Sequence, residues 1–130
     1  MKATITKINN IENLNIVSFI SYGFELTMVS LELQNKLKIG SEVLLNTKPT
    51  SVSILKASKD DFYLSFENQL SMKIKKIEFG VILTSLQLDN EAFTLESIIT
   101  TNIARKMQLT EGDCVIALIN ASDIAIMEVL

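Results

Sequence analysis

The residue types best suited to catalysis are nearly absent from this chain. Histidine does not occur among its 130 residues, so the sequence offers no histidine base near neutral pH and no histidine ligand for zinc. The single cysteine, Cys114, can form neither an internal disulfide nor a thiolate cluster, which is typical of a reducing compartment. No nucleophile with a neighbouring base and no glycine-rich phosphate loop can be identified. We therefore expect no catalytic residues, no metal site and no enzymatic activity.

The charged residues give no field that would attract nucleic acid. With 12 basic and 15 acidic residues, the formal charge is −3. The densest basic cluster, Lys73, Lys75 and Lys76, is flanked by Glu67 and Glu78 and lacks interleaved aromatic residues, which indicates a polar strand face. No apolar run approaches the ~20 residues that a membrane-spanning helix needs. The sequence thus predicts a cytoplasmic protein with no membrane contact and no direct contact with nucleic acid.

Short strands must position the polar side chains. Apolar residues make up 48% of the chain, while glycine and proline number only 4 and 1, so long flexible linkers are not expected. Alternating patterns predict strands over 3–8, 15–21 and 24–29 in the first half, and over 72–78, 81–88 and 93–99 in the second. Apolar residues spaced i and i+4 predict helices of about two turns over 30–37 and 102–109.

The two halves share a repeated segment. Leu37, Gly40 and Val43 recur at the same spacing as Leu109, Gly112 and Val115, an offset of 72 residues. Each half then has about five short strands and one short helix, which suits a small Greek-key barrel of the OB type. The sequence therefore predicts an all-β fold of two tandem OB-like small β-barrels, with a first module at 1–58 and a second at 59–130. Modules this small need extensive contact with each other or with another subunit.

Several segments resemble the Mop module. Residues 65–74, Ser-Phe-Glu-Asn-Gln-Leu-Ser-Met-Lys-Ile, are similar to its opening, Ser-Ala-Arg-Asn-Gln-Leu-x-Gly-x-Val. Residues 109–115 resemble its Leu-x-x-Gly-Asp-x-Val turn, and 119–124 its closing Ile-Lys-Ala-Ser/Thr-x-Val, while 37–43 and 47–52 are another version of the same ending. The whole chain resembles a tandem pair of Mop (TOBE-type) modules, as in cytoplasmic molybdate-storage proteins and the effector half of molybdate-responsive regulators.

This resemblance implies that molybdate or tungstate binds at module or subunit interfaces, without an organic cofactor, in a homo-oligomer of two or three chains. A tetrahedral dianion is held by N–H groups, hydroxyls, amides and a cation. By position, Lys48 would supply the charge. The residues that match the family pattern, and that we predict to bind the oxyanion, are Lys48, Thr50, Ser51, Ser65, Asn68, Thr100, Asn120 and Ser122.

Two departures from the family pattern predict fewer or weaker sites. Glu67 stands where the family has arginine, and Asn120 stands where it has the closing lysine. Storage or sensing of the oxyanion is therefore the first hypothesis, and the alternative is a ligand-free oligomerisation or interaction module that acts with a molybdate transporter or a transcription regulator. An enzyme is third, because carboxylates distant in sequence would have to meet in space.

Overall fold

The computed structural model describes residues 1–33, 35–56 and 64–130. Within these ranges it confirms the all-β class, with ten strands in two five-stranded antiparallel sheets. The strands are β1 (Lys2–Ile11), β2 (Leu14–Ser21), β3 (Phe24–Ser30), β4 (Glu42–Asn46), β5 (Ser53–Leu55), β6 (Asn68–Phe79), β7 (Leu83–Asp89), β8 (Thr94–Thr100), β9 (Cys114–Ile119) and β10 (Ala125–Val129). A helix, α1 (Thr101–Lys106), follows β8, and 3₁₀ turns at Pro49–Ser51 and Ala121–Asp123 precede β5 and β10.

The two sheets exchange one strand each. The first sheet has the order β10-β4-β1-β2-β3 and the second has the order β5-β9-β6-β7-β8. In the second sheet, Ile54 of β5 pairs with Ala117 of β9, although β5 follows the first-half strands. In the first sheet, Ala125 of β10 pairs with Asn46 of β4. The two halves are therefore interlocked through hydrogen bonds rather than joined only by a linker.

Alternation along the strands builds one shared core. In β6 every second residue from Asn68 to Ile74 is buried, as expected of a strand with one face turned inward. The buried cluster contains Phe19 and Leu26 from the first sheet together with Leu70 and Leu88 from the second. Burial of apolar area from both sheets in one cluster makes their relative placement part of the folded state.

The repeated glycine turns are anchored in the same way in both halves. The Gly40 N–H donates to the Ile5 carbonyl at 2.8 Å, and the Gly112 N–H donates to the Ile74 carbonyl at 2.7 Å. Both glycines have positive φ, 94° and 91°, which a side chain would strain. The strands that contain these carbonyls, β1 and β6, each have a register shift directly after Ile5 and Ile74. The internal repeat is therefore structural as well as sequential.

One predicted helix is confirmed and one is wrong. Helix α1 overlaps the predicted 102–109 region, but it begins one residue earlier because Thr100 Oγ1 caps it by accepting from the Ile103 N–H at 3.3 Å. The helix predicted over 30–37 is wrong for the described part of that segment, where 31–33 and 35–37 form bend, turn and irregular chain. The Ser30 hydroxyl donates to the Glu32 carbonyl at 2.6 Å, which favours a local turn over a helix.

The predicted module boundary lies outside the described residues. The division between 58 and 59 falls in the segment 57–63, so modules at 1–58 and 59–130 stay a prediction. Among the residues that are described, no helix is both long and apolar enough to cross a membrane.

Candidate functional site

Two 3₁₀ turns lie where the chain crosses from one sheet to the other. We call Pro49–Ser51 the first turn and Ala121–Asp123 the second turn. The region that contains both turns is called the seam. The residue before each turn has nearly the same backbone conformation, φ −70° and ψ 137° at Lys48 against φ −65° and ψ 147° at Asn120. Each turn is closed by a backbone hydrogen bond from its last residue to the residue before the turn, of 2.9 Å and 3.0 Å respectively. The first turn has a second bond, of 3.3 Å from the Val52 N–H to the Pro49 carbonyl. The seam thus contains two turns of similar backbone conformation, and we call each turn with the residue before it a frame.

Each turn packs against the edge strand of the opposite half. The first turn lies on β8, where the buried Ser97 hydroxyl donates to the Val52 carbonyl at 2.6 Å. The second turn lies on β3. Register brings the two turns towards the same end of the second sheet, because Leu118 of β9 pairs with Ser53 on one side and with Gln69 on the other. Candidate residues from both halves therefore converge in the seam.

Asn68 is the most deeply placed of the predicted oxyanion ligands. Its side chain is 1% exposed, and its Oδ1 accepts from the Thr27 N–H at 2.7 Å. Its Nδ2 donates to the Thr27 carbonyl at 2.9 Å and to the Ile119 carbonyl at 3.2 Å. Both amide protons are used by the protein itself. Asn68 therefore ties β6 to β3 and β9, and an oxyanion could use its amide only by displacing these bonds.

Two further predicted ligands make local hydrogen bonds. Thr100 Oγ1 caps α1, and within the described residues no side-chain hydrogen bond joins it to another predicted ligand. The Asn120 Nδ2 donates to Asp123 Oδ2 at 3.4 Å, across the second turn. The structure thus brings Asn120 into the seam but directs its amide towards a carboxylate.

The remaining five predicted ligands are accessible. Lys48, Thr50, Ser65 and Ser122 are exposed and Ser51 is half-buried, and none makes a side-chain hydrogen bond within the part of the chain that the structure describes. Three of them, Lys48, Thr50 and Ser51, belong to the first turn or directly precede it. Ser122 lies in the second turn, and Ser65 lies three residues before Asn68. The first turn thus holds the densest set of available donors.

Sequence reasoning missed Thr47, which joins β4 to the first turn. Its Oγ1 is buried and has no hydrogen-bond partner among the described residues. A buried hydroxyl without a partner is unfavourable, so such an atom indicates a missing partner or a functional role. The repeat offered a signal that position 47 is buried, because the corresponding residue 72 positions later is the apolar Ile119.

The charges of the two turns are opposite. Lys48 is the charged side chain at the first turn, and Asp123 is the charged side chain at the second. An ammonium group beside several hydroxyls can hold a small anion without transferring a proton.

A second contact between the halves lies at the Gly112 turn. Lys56 Nζ donates to the Met107 and Gln108 carbonyls at 3.2 Å and 2.8 Å, and it lies 3.2 Å from Asp113 Oδ2. The pKa of Asp113 is lowered from its ordinary value, chiefly by the Thr110 N–H, then by the Thr110 hydroxyl and by Lys56. This contact stabilises the end of α1 and holds Lys56 away from the role of an oxyanion ligand.

Comparison with known proteins finds one matching domain family and similar solved structures. Residues 64–126 match the family model of the TOBE domain. The molybdate-bound, PEG-grown crystal form of the cytoplasmic molybdate-binding protein ModG is 25% identical, with 95% of this chain and 91% of the ModG chain covered and a TM-score of 0.88. A molybdate-binding protein from Sporomusa ovata is also 25% identical, with 52% of this chain and 100% of that chain covered and a TM-score of 0.49. No curated protein sequence matches the chain significantly.

The two main comparisons cover different lengths of the chain. The TOBE match lies in the second half, whereas the likeness to ModG extends over both halves. Together they confirm the resemblance to tandem Mop-type proteins that the motifs indicate. Residues 64–126 are therefore similar to a TOBE domain, and the fold of the chain is similar to the two-domain, OB-like fold of the molybdate-binding protein ModG.

Proposed function

We propose that this protein binds molybdate or tungstate in the seam or between subunits, for storage or sensing of the oxyanion. The observation that carries the proposal is the first turn, where Lys48 lies within three residues of the hydroxyl-bearing Thr47, Thr50 and Ser51 and is exposed to solvent. The likeness to ModG, whose structure contains molybdate, supports this ligand class.

The chemistry of the first turn fits a doubly charged tetrahedral anion. Hydrogen bonds to a charged group contribute roughly 1.5–3 kcal/mol each, whereas exposed ion pairs are strongly screened. Since Lys48 is exposed, we expect the hydroxyls of Thr47, Thr50 and Ser51 to supply most of the affinity. Lysine then contributes charge selectivity and faster capture of anions.

We also propose that the protein is a homo-oligomer of two or three chains in the cytoplasm. The β6–β7 turn exposes four large apolar side chains, with exposed fractions of 46% for Phe79, 97% for Val81, 74% for Ile82 and 53% for Leu83. A contiguous exposed apolar patch is typical of an interaction surface. The name of ModG as a cytoplasmic protein supports the location.

The same surface favours the second candidate function, a ligand-free interaction module that acts with a molybdate transporter or a transcription regulator. Internal hydrogen bonds already occupy Asn68, Thr100 and Asn120, three of the predicted ligands. Neither function requires catalysis, and ModG is named as a binding protein, which supports a protein without enzymatic activity.

Equilibrium dialysis against molybdate, tungstate or sulfate, with the metal or sulfur measured by mass spectrometry, tests the first function. We expect the protein to retain molybdate or tungstate, and we expect a Thr50→Ala/Ser51→Ala variant to retain less. Thr6→Ala, which removes an exposed hydroxyl from β1, is the matched control and should bind as the native protein does. Oligomers that retain no oxyanion at millimolar concentration would support the ligand-free module instead.

A further inference from the structure

We propose that only the first turn binds the oxyanion and that the second turn, although it has the same backbone, is closed to it by its own carboxylate. This inference rests on the proposed function, because it assumes that the ligand is a tetrahedral oxyanion. Of the two repeated turns, one would then hold the oxyanion, and named side chains would account for the difference in affinity between them.

The two frames have nearly the same backbone conformation, but Pro49 lacks the backbone N–H that its counterpart Ala121 has. Both turns are 3₁₀, both follow a strand of their own half, and both precede the exchanged strand. The residue after each turn is extended and buried in both cases, Val52 with φ −98° and Ile124 with φ −101°. The backbone thus gives the second turn one more N–H donor, so a preference for the first turn must come from the side chains.

Three side-chain differences act in the same direction. Lys48 of the first frame corresponds to the neutral Asn120, and Ser51 corresponds to the anionic Asp123. The two exchanges together change the local charge by two units. Like charges repel and opposite charges attract more strongly where protein replaces water, so a dianion favours the first turn.

At the second turn, one proton of the Asn120 amide is already directed at a carboxylate. The Asn120 Nδ2 donates to Asp123 Oδ2 at 3.4 Å, so the donor that remains at the family's lysine position is directed at a carboxylate. Glu67, another acidic residue, is exposed and precedes Asn68, whose Nδ2 contacts the Ile119 carbonyl beside Asn120. The neighbourhood of the second turn is therefore acidic.

The third difference lies in the residue before each frame. Thr47 has a buried Oγ1 without a partner among the described residues, whereas its counterpart Ile119 is fully buried and carries no polar side-chain atom. Because this oxygen is closed to solvent, an oxyanion at the first turn would serve as its acceptor only if the turn shifted on binding. The second frame has no equivalent donor to satisfy.

Exchanging the side chains between the frames tests the inference. The Asn120→Lys/Asp123→Ser variant makes the second turn resemble the first, and Lys48→Asn/Ser51→Asp does the reverse. After dialysis against molybdate, we expect molybdenum per chain to rise about twofold in the first variant, since opening a second frame adds an equal number of sites. We expect the reverse variant to retain none.

The control is Asn9→Lys/Glu91→Ser, which changes the net charge equally at two exposed positions outside the seam. It should load as the native protein does. If the control also loads more, bulk charge explains the gain and the inference fails.

Other outcomes separate the two proposals. Half-loading of the Lys48→Asn/Ser51→Asp variant would mean that the native second turn binds, which overturns this inference and leaves the proposed function standing. Unchanged loading of a folded Asn120→Lys/Asp123→Ser variant would overturn it too. If no variant retains molybdate and the native protein retains none, the proposed function fails and this inference fails with it.

Discussion

The carboxamide of Asn68 pairs with the backbone of Thr27 as a neighbouring strand would, with bonds of 2.7 Å from the Thr27 N–H and 2.9 Å to the Thr27 carbonyl. Thr27 lies in β3, the edge strand of the first sheet, and Asn68 begins β6 of the second. An open strand edge invites pairing with other chains. Asn68 therefore satisfies part of that edge and links the two halves at the seam.

Replacement of Asn68 by alanine should destabilise the fold strongly. The change removes three hydrogen bonds from a fully buried side chain and leaves a small cavity, so we expect a loss of about 2–4 kcal/mol in the free energy of unfolding. Urea denaturation measures it. Gln69→Ala, which removes an exposed amide bonded to the Phe66 carbonyl, is the control and should cost less than ~0.5 kcal/mol. Equal effects of the two changes would contradict the role given to Asn68.

Thr47 gives a prediction in which stability and binding change differently. Valine has nearly the shape of threonine without the hydroxyl, so Thr47→Val removes a buried polar atom that has no partner among the described residues. The free energy of unfolding without ligand should stay the same or rise. Affinity for molybdate should fall about tenfold, because a hydrogen bond to a charged ligand is lost. Calorimetric titration and thermal unfolding measure the two effects. Lower stability with unchanged affinity would show that the hydroxyl serves the fold.

Asp113 should make stability depend on acid pH. Its pKa is lowered in the folded state, chiefly by the Thr110 N–H, so its charged form contributes stability above the pKa of the unfolded chain. That contribution is lost as pH falls through the lower, folded pKa. Asp113→Asn should therefore be less stable than the native protein at pH 7, and the gap should close in strong acid. Denaturation at a series of pH values measures this gap, with Glu25→Gln on the exposed face of β3 as control. A gap that is constant with pH would contradict the assignment.

Oxyanion binding should change little between pH 6 and 8. The sequence contains no histidine, the side chain that most often changes its charge in this range. Dissociation constants measured by calorimetry at pH 6, 7 and 8 should agree within about twofold. A tenfold change would mean that a titrating group, absent from the set named here, contacts the ligand.

The longer strands of each half were predictable because they bury one face. Alternation in 15–21 and 72–78 follows directly from that geometry, and β2 and β6 contain these segments. The helix predicted over 30–37 is wrong because Leu33 and Leu37 have helical spacing by coincidence, while Ser30 bonds to a nearby carbonyl. A segment this short has too few residues to distinguish the helical period of 3.6 from the strand period of 2.

The exchange of β5 and β10 could not be predicted from the sequence. A strand of three residues such as Ser53–Leu55 satisfies either sheet equally well by local pattern, and pairing with Ile116 is a contact between distant parts of the chain. Turn geometry and the position of the other half decide the partner.

The candidate site was predictable in part. Family motifs place Lys48, Thr50 and Ser51 in one segment, and the structure keeps them in one turn. The burial of Asn68 and of the Thr47 hydroxyl depends on how the halves pack, which no local pattern reports.

The most direct measurement is anomalous X-ray scattering at the tungsten edge from crystals soaked in tungstate. The account predicts a strong peak beside Lys48 and the hydroxyls of the first turn, with no peak at Asp123. A peak at the second turn, or a seam without tungsten in crystals that carry it elsewhere, would contradict the central claim.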